Sequence, residues 1–292
     1  MRIALYGRGF DPDYDGLMKE VLRVLRDAGT EISVFSGFLN DIKRSDGGKT
    51  DYLTFDSYEQ LKGKTDMLFS FGGDGTMLDT VEYVRDSEIP VFGINTGRLG
   101  FLSSVSSNET LEAVNSILQG DYEVERRSLL ELVGEEERFN GINYALNELS
   151  VMRKDGSSLI VIKVLVDGKL LNTYWADGII MATPTGSTAY SLSAGGPIVA
   201  PNNYSFLITP ISAHNLSVRP VVISDKSIVK IKVEGRCDAY DLSLDSRTKL
   251  VKKTLELEIK KAGFGFNMVK LPGKDFFEAI RNKLLWGNDV RN

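Results

Sequence analysis

Residues 69–78 read FSFGGDGTML, an apolar run that passes through three glycines and one aspartate into a helical pattern. The preceding DMLFSF has the character of a buried strand, and Met77, Leu78, Val81 and Val84 recur on one helical face, so the turn joins strand to helix. Open α/β sheets bind ligands at such turns, beyond the carboxyl ends of their strands. Glycine permits positive φ and close backbone approach, while a helix N-terminus offers free N–H groups and partial positive charge, a combination suited to phosphate. Asp74 breaks that pattern. Its carboxylate would repel phosphate, and the turn has neither a Walker lysine nor GxGxxG spacing, which removes a P-loop NTPase and a plain dinucleotide fingerprint. Either Asp74 caps the helix or it does chemistry.

Outward from this turn, residues 1–121 alternate short apolar runs with helical periodicity, as parallel strand and helix units do. RIALYG reads as the first strand; Leu17, Met18, Val21, Leu22, Val24, Leu25 and Ala28 follow at helical spacing, and Gly29 stops the helix before EISVF. After about Tyr122 closely spaced strands take over, among them SLLELV, NYALNELSVM, SLIVIKVLVD, DGIIMAT, LELEIKK and FNMVKL. These predict a mainly antiparallel sandwich or barrel. The tail GKDFFEAIRNKLLW is helical again, with Phe276, Phe277, Ile280 and Leu284 on one face that should pack back on the first domain. The expected fold is an α/β domain over residues 1–122, completed by 272–292, and a β-rich domain over 123–271.

Composition narrows the chemistry. The chain has 292 residues, one cysteine, Cys237, and one histidine, His214, which excludes an intrachain disulfide and multi-Cys or His-pair metal motifs. Acid–base work therefore falls on carboxylates. A net charge of −5 argues against nonspecific nucleic-acid binding, and no apolar run approaches the roughly 18 residues of a membrane span. With no signal-peptide pattern at MRIALYGRGF, the expected location is cytoplasmic.

A second cluster, residues 183–197, reads TPTGSTAYSLSAGGP and holds six Ser and Thr hydroxyls, four of them in Thr183, Thr185, Ser187 and Thr188. Such a donor and acceptor density suits ribose hydroxyls and amide edges, although a Ser/Thr-rich loop without a ligand is the plainer alternative. Asn147-Glu148 and Asp177 stand in strongly apolar surroundings, where each needs a partner from the backbone or from a ligand. His214 and Cys237 receive no catalytic role.

Together these stretches resemble the NAD kinase family: GGDGT at 72–76, NTGRLGFL at 95–102, Asn147-Glu148, Asp177-Gly178 and TPTGSTAYSLSAGGP in that order. Phosphofructokinases and lipid kinases of the diacylglycerol type share the glycine turn, but its union with TPTGSTAY is specific. The resemblance implies a Rossmann-like, phosphofructokinase-like N-terminal domain, a β-sandwich C-terminal domain and a homo-oligomer, tetramer or dimer. It further implies transfer of the γ-phosphoryl of ATP, with Mg²⁺, to the adenosine 2′-hydroxyl of NAD, with Asp74 as general base. Gly72, Gly73, Gly75 and Thr76 would cradle phosphate, and Phe101 would pack against a base. Asn147, Glu148 and Asp177 would hold the dinucleotide, together with Thr188, Ala189, Tyr190, Ser191, Leu192 and Ser193. Trp175 stands where an arginine is common, Ala213 where a proline is expected, and Asp245-Ser246-Arg247 replaces Asp-Gly-Gln. A lipid or sugar kinase, or a noncatalytic NAD-binding regulator, are the competing readings.

Overall fold

The computed structural model describes residues 1–48, 51–97, 100–103, 105–154, 159–234, 239–252 and 255–286. The chain divides into two compact units, Met1–Arg126 with Phe266–Asn292, and Arg127–Gly265.

In the first unit, strands β1 (Arg2–Gly7), β2 (Glu31–Phe35), β3 (Leu53–Phe55), β4 (Met67–Phe71) and β5 (Val91–Ile94) are joined by helices α1 (Asp15–Asp27), α2 (Leu39–Asp46), α3 (Tyr58–Leu61) and α4 (Asp74–Val84). The pairs β5–β4, β4–β1, β1–β2 and β2–β3 are all parallel. β4 and β5 are buried along their whole lengths, as a parallel sheet covered by helices requires. The α1 periodicity holds, with Met18, Val21, Leu22 and Leu25 buried and Gly29 left-handed just past the helix end. Helix α5 (Thr110–Gln119) adds Ala113, Val114 and Ile117 to the same core.

The second unit contains the rest of β6 (Glu123–Val133), then β7 (Tyr144–Ala145), β8 (Glu148–Arg153), β9 (Ile160–Val166), β10 (Lys169–Ala176) and β11 (Gly178–Ala182). One turn of helix, α6 (Tyr190–Ser193), precedes β12 (Ser205–Ile211), β13 (Val221–Ser224), β14 (Val229–Glu234), β15 (Ala239–Leu244) and β16 (Arg247–Lys252). Strands β13-β12-β11-β8-β15-β16 form an antiparallel sheet. A second antiparallel set runs β10-β9-β14 and on to the start of β17 (Leu255–Lys270). Alternate residues of both sets, such as Ile160, Ile162 and Val164 of β9 and Leu149 and Val151 of β8, share one hydrophobic core. This is the expected β-rich domain.

Two expected strands, LELEIKK and FNMVKL, form the single strand β17, whose end pairs parallel with β5 at Met268 and Val91. Helix α7 (Phe276–Leu284) follows in the first unit, capped by the Asp275 carboxylate on the Phe277 and Glu278 N–H groups. Ile280 is buried there, whereas Phe277 is 63% exposed, so the expected apolar face is narrower by that residue. Phe277 directly follows Phe276 on the helix, about 100° round its surface, and stacks on it edge-on. Among the described residues no helix is long and apolar enough to cross a membrane.

Candidate active site

The glycine turn begins where β4 ends. Gly72 has φ of 152°, and a Cβ there would overlap the Thr76 side chain, so the fold itself demands this glycine. Gly73 and Gly75 differ: a Cβ on either would meet nothing within 4 Å. The space over them is open to solvent or ligand.

Asp74 is not the helix cap. Gly73 occupies that position without a side-chain bond, and Asp74 is the first residue of α4. Its carboxylate reaches to another loop, where Oδ2 accepts the N–H of Phe101 at 2.6 Å and Oδ1 accepts those of Leu102 and Ser103 at 2.9 and 3.1 Å. A Cβ on Gly100 would overlap all three carboxyl atoms. Both glycine-rich stretches of the first unit therefore meet on one carboxylate. Arg98 and Leu99, in the same NTGRLGFL segment, lie outside the described residues.

The Phe101 ring, expected against a base, has the Lys283 ammonium of α7 4.2 Å from its centroid. Burial lowers the Lys283 ammonium to about 8, while the Asp74 charge acts in the opposite direction. Lys283 went unrecognised in the sequence because it read only as the polar side of an amphipathic tail.

In the second unit, Asn147 precedes strand β8 and Glu148 opens it, and both are set by Asp245. Its carboxylate accepts the N–H groups of Leu146, Asn147 and Glu148 at 2.8, 2.8 and 3.1 Å. Arg247 donates to the carbonyls of Ile142 and Tyr144, so Asp245 and Arg247 brace the segment that carries Asn147-Glu148. Burial and the Asp245 charge push the Glu148 carboxyl up to about 8, and its Oε2 is buried without a hydrogen-bond partner. Burial also pushes Asp245 upward, against Arg247 and the three N–H groups.

The hydroxyl-rich segment spends much of its polarity internally. Thr183 Oγ1 donates to the Leu146 carbonyl at 2.6 Å, Ser187 Oγ to that of Pro184 at 2.6 Å, and Ser191 Oγ meets Thr209 Oγ1 at 2.9 Å. These three residues are fully buried. A Cβ on Gly186 would overlap the Asn147 backbone, and the Thr183 N–H bonds the Asn147 carbonyl at 2.9 Å, which locks this loop onto β8. Half-buried Thr188, Ala189, Tyr190 and Leu192 and exposed Ser193 form its outer side. Tyr190 feels the charges of both Asp177 and Glu148, so the three are neighbours. Asp177 accepts from Arg153 Nε at 2.6 Å, which gives it a protein partner. The Trp175 side chain is 55% exposed. Cys237 lies outside the described residues.

A glycine turn at the end of a parallel strand, with a carboxylate fixed beside a lysine, and a β-rich unit with a buried polar cluster define a phosphotransferase of mixed α/β and β architecture. Residues 11–122 match the ATP-NAD kinase N-terminal domain and residues 146–271 the ATP-NAD kinase C-terminal domain. The NAD kinase of Flavobacterium johnsoniae is 42% identical over the whole of both chains, and that of Bacteroides fragilis 39%. Among solved structures, yeast NADH kinase complexed with NADH superposes with a TM-score of 0.85 at 26% identity, covering 100% of this chain and 89% of that one. The NAD kinase of Archaeoglobus fulgidus in complex with ATP gives 0.77 at 27% identity, covering 98% and 99%. The chain belongs to the NAD kinase family and is a phosphotransferase that uses ATP and NAD to make NADP.

Proposed function

We propose that the γ-phosphoryl of ATP passes to the 2′-hydroxyl of the adenosine ribose of NAD, with Asp74 as general base. The seat of Asp74 carries this reading. A carboxylate has about four lone-pair sites; Oδ1 uses two and Oδ2 one on backbone N–H groups, so Oδ2 retains one for a hydroxyl proton. As the 2′-oxygen attacks the γ-phosphorus, the bond from that phosphorus to the ADP oxygen breaks and the hydroxyl proton goes to Asp74. A positioned base contributes about 10²- to 10⁴-fold. Gly73 and Gly75, with open space above them, let phosphate approach the first turn of α4.

Asn147, Glu148, Asp177, Trp175 and the segment from Thr188 to Ser193 supply the dinucleotide-binding surface in this reading, and the NADH and ATP held by the yeast and Archaeoglobus relatives support the same substrate pair. ATP enters as its Mg²⁺ complex, with the cation on phosphate oxygens. Among the described residues no group of three or more His, Cys, Asp or Glu side chains could hold a metal, and none is assigned one. A cytoplasmic homo-oligomer that binds neither nucleic acid nor membrane completes the proposal.

The test uses labelled ATP with NAD and with 2′-deoxy-NAD, and calorimetry for binding. The deoxy analogue should bind without accepting label, and Asp74→Asn should keep the fold and most NAD affinity while losing most turnover. Label on the deoxy analogue moves the chemistry to another hydroxyl. Near-normal kcat in Asp74→Asn removes the base.

A further inference from the structure

Lys283 is a charged group that the reaction so far leaves unused. Its Nζ is buried and has no hydrogen-bond partner among the described residues. A lysine packed for stability alone lays its stem on apolar surface and keeps its ammonium in water. Here the ammonium is covered, 4.2 Å from the Phe101 ring centroid, and a cation–π contact restores only part of the lost hydration. The neighbouring carboxylate is Asp74, whose oxygens are committed largely to the N–H groups of Phe101, Leu102 and Ser103. The ammonium thus lies over the ring of Phe101, whose backbone N–H holds Asp74, with no acceptor for its three donors among the described residues.

We infer that Lys283 binds the phosphoryl group in flight, donating to its oxygens while Asp74 receives the hydroxyl proton. Phosphoryl oxygens are the acceptor-only anion that this ammonium lacks, and phosphoryl transfer depends on cations placed where charge is spread over those oxygens. The inference rests on the proposed 2′-phosphorylation. It also answers the glycine turn: the lysine absent after Asp74 is supplied by the last helix of the same unit.

The experiment compares wild type with Lys283→Met and Lys283→Arg, each checked by a melting curve, for NADP formation and for NAD binding by calorimetry. Lys283→Met should lose about 10²- to 10³-fold in kcat with NAD affinity within about twofold, as removal of one transition-state donor does. Lys283→Arg should recover most of the rate. Among the described residues Asp74 is the charged group acting on Lys283, and the other charged residues of α7 acting on its own turns, Arg281 and Glu278, are an exposed and a half-buried side chain respectively. Glu148 titrates in the same range, so in a Glu148→Gln background kcat should fall as pH rises through about 8, where the ammonium loses its proton, and this limb should vanish when Lys283→Arg is added. Unchanged kcat in Lys283→Met, an alkaline limb retained when Lys283→Arg is added to Glu148→Gln, or a loss confined to NAD binding each overturns the inference. Wild type that forms no NADP would overturn instead the reaction on which it rests.

Discussion

The fully buried Asp245 carboxylate accepts the backbone N–H of Asn147 at 2.8 Å across 98 residues of sequence. Its other two N–H partners are the flanking residues Leu146 and Glu148, so one side chain fixes the start of β8. The Arg247 guanidinium 3.9 Å away and these three donors replace the water that burial removes.

Asp245→Asn should test that brace. The amide keeps one acceptor oxygen and turns an N–H₂ toward backbone donors, leaving at least one buried N–H unpaired at about 1 to 3 kcal/mol. Urea unfolding should show that loss, with KM for NAD raised more than kcat is lowered. A variant as stable as wild type would show that the three bonds do not set the segment.

Glu148 makes stability depend on pH. Its carboxyl is raised to about 8 in the folded state against 4.5 as its ordinary value, so the unfolded chain releases the proton first as pH rises. The contribution favouring the fold is complete below about 4.5 and disappears as pH climbs through about 8. Glu148→Gln, which stays neutral, should therefore gain stability relative to wild type steadily from pH 5 to 8, by an amount on the order of a few kcal/mol, seen as a rising difference in Tm. Parallel Tm curves for the two proteins across that range would show Glu148 to be charged and satisfied.

The local parts of this site were legible in the sequence and the distant parts were not. A strand, a glycine turn and a helix follow one another within residues 67–84, so their periodicities announce them and place Asp74 at the junction. The partners of Asp74 lie in residues 101–103, and those of Asn147 at Asp245, separations over which pattern says nothing about contact. Hydroxyl density in sequence does not say where each hydroxyl goes: Thr183, Ser187 and Ser191 are buried and bond within the protein. Composition records the donors and cannot say which way they face. Arg247, read in the sequence only as a departure from Asp-Gly-Gln, is a backbone clamp on Ile142 and Tyr144.

Two glycines of the first unit separate folding from catalysis. Gly75 is the second residue of α4 and a Cβ there meets nothing within 4 Å, so Gly75→Ala should leave the fold intact or stabilise it by up to about 1 kcal/mol through helix propensity. The added methyl would nevertheless stand where phosphate approaches the backbone, and KM for ATP should rise about tenfold or more, roughly 1.4 kcal/mol of lost binding. Gly100→Ala has the opposite origin. Its Cβ would overlap the Asp74 carboxyl group and drive it off the Phe101, Leu102 and Ser103 N–H groups, so kcat should fall about 10²- to 10⁴-fold, as in Asp74→Asn. Steady-state kinetics beside thermal melts on both variants checks this. An unaltered KM for ATP in Gly75→Ala would mean that the open space over the turn serves no phosphate, and a fully active Gly100→Ala would mean that Asp74 works without its seat.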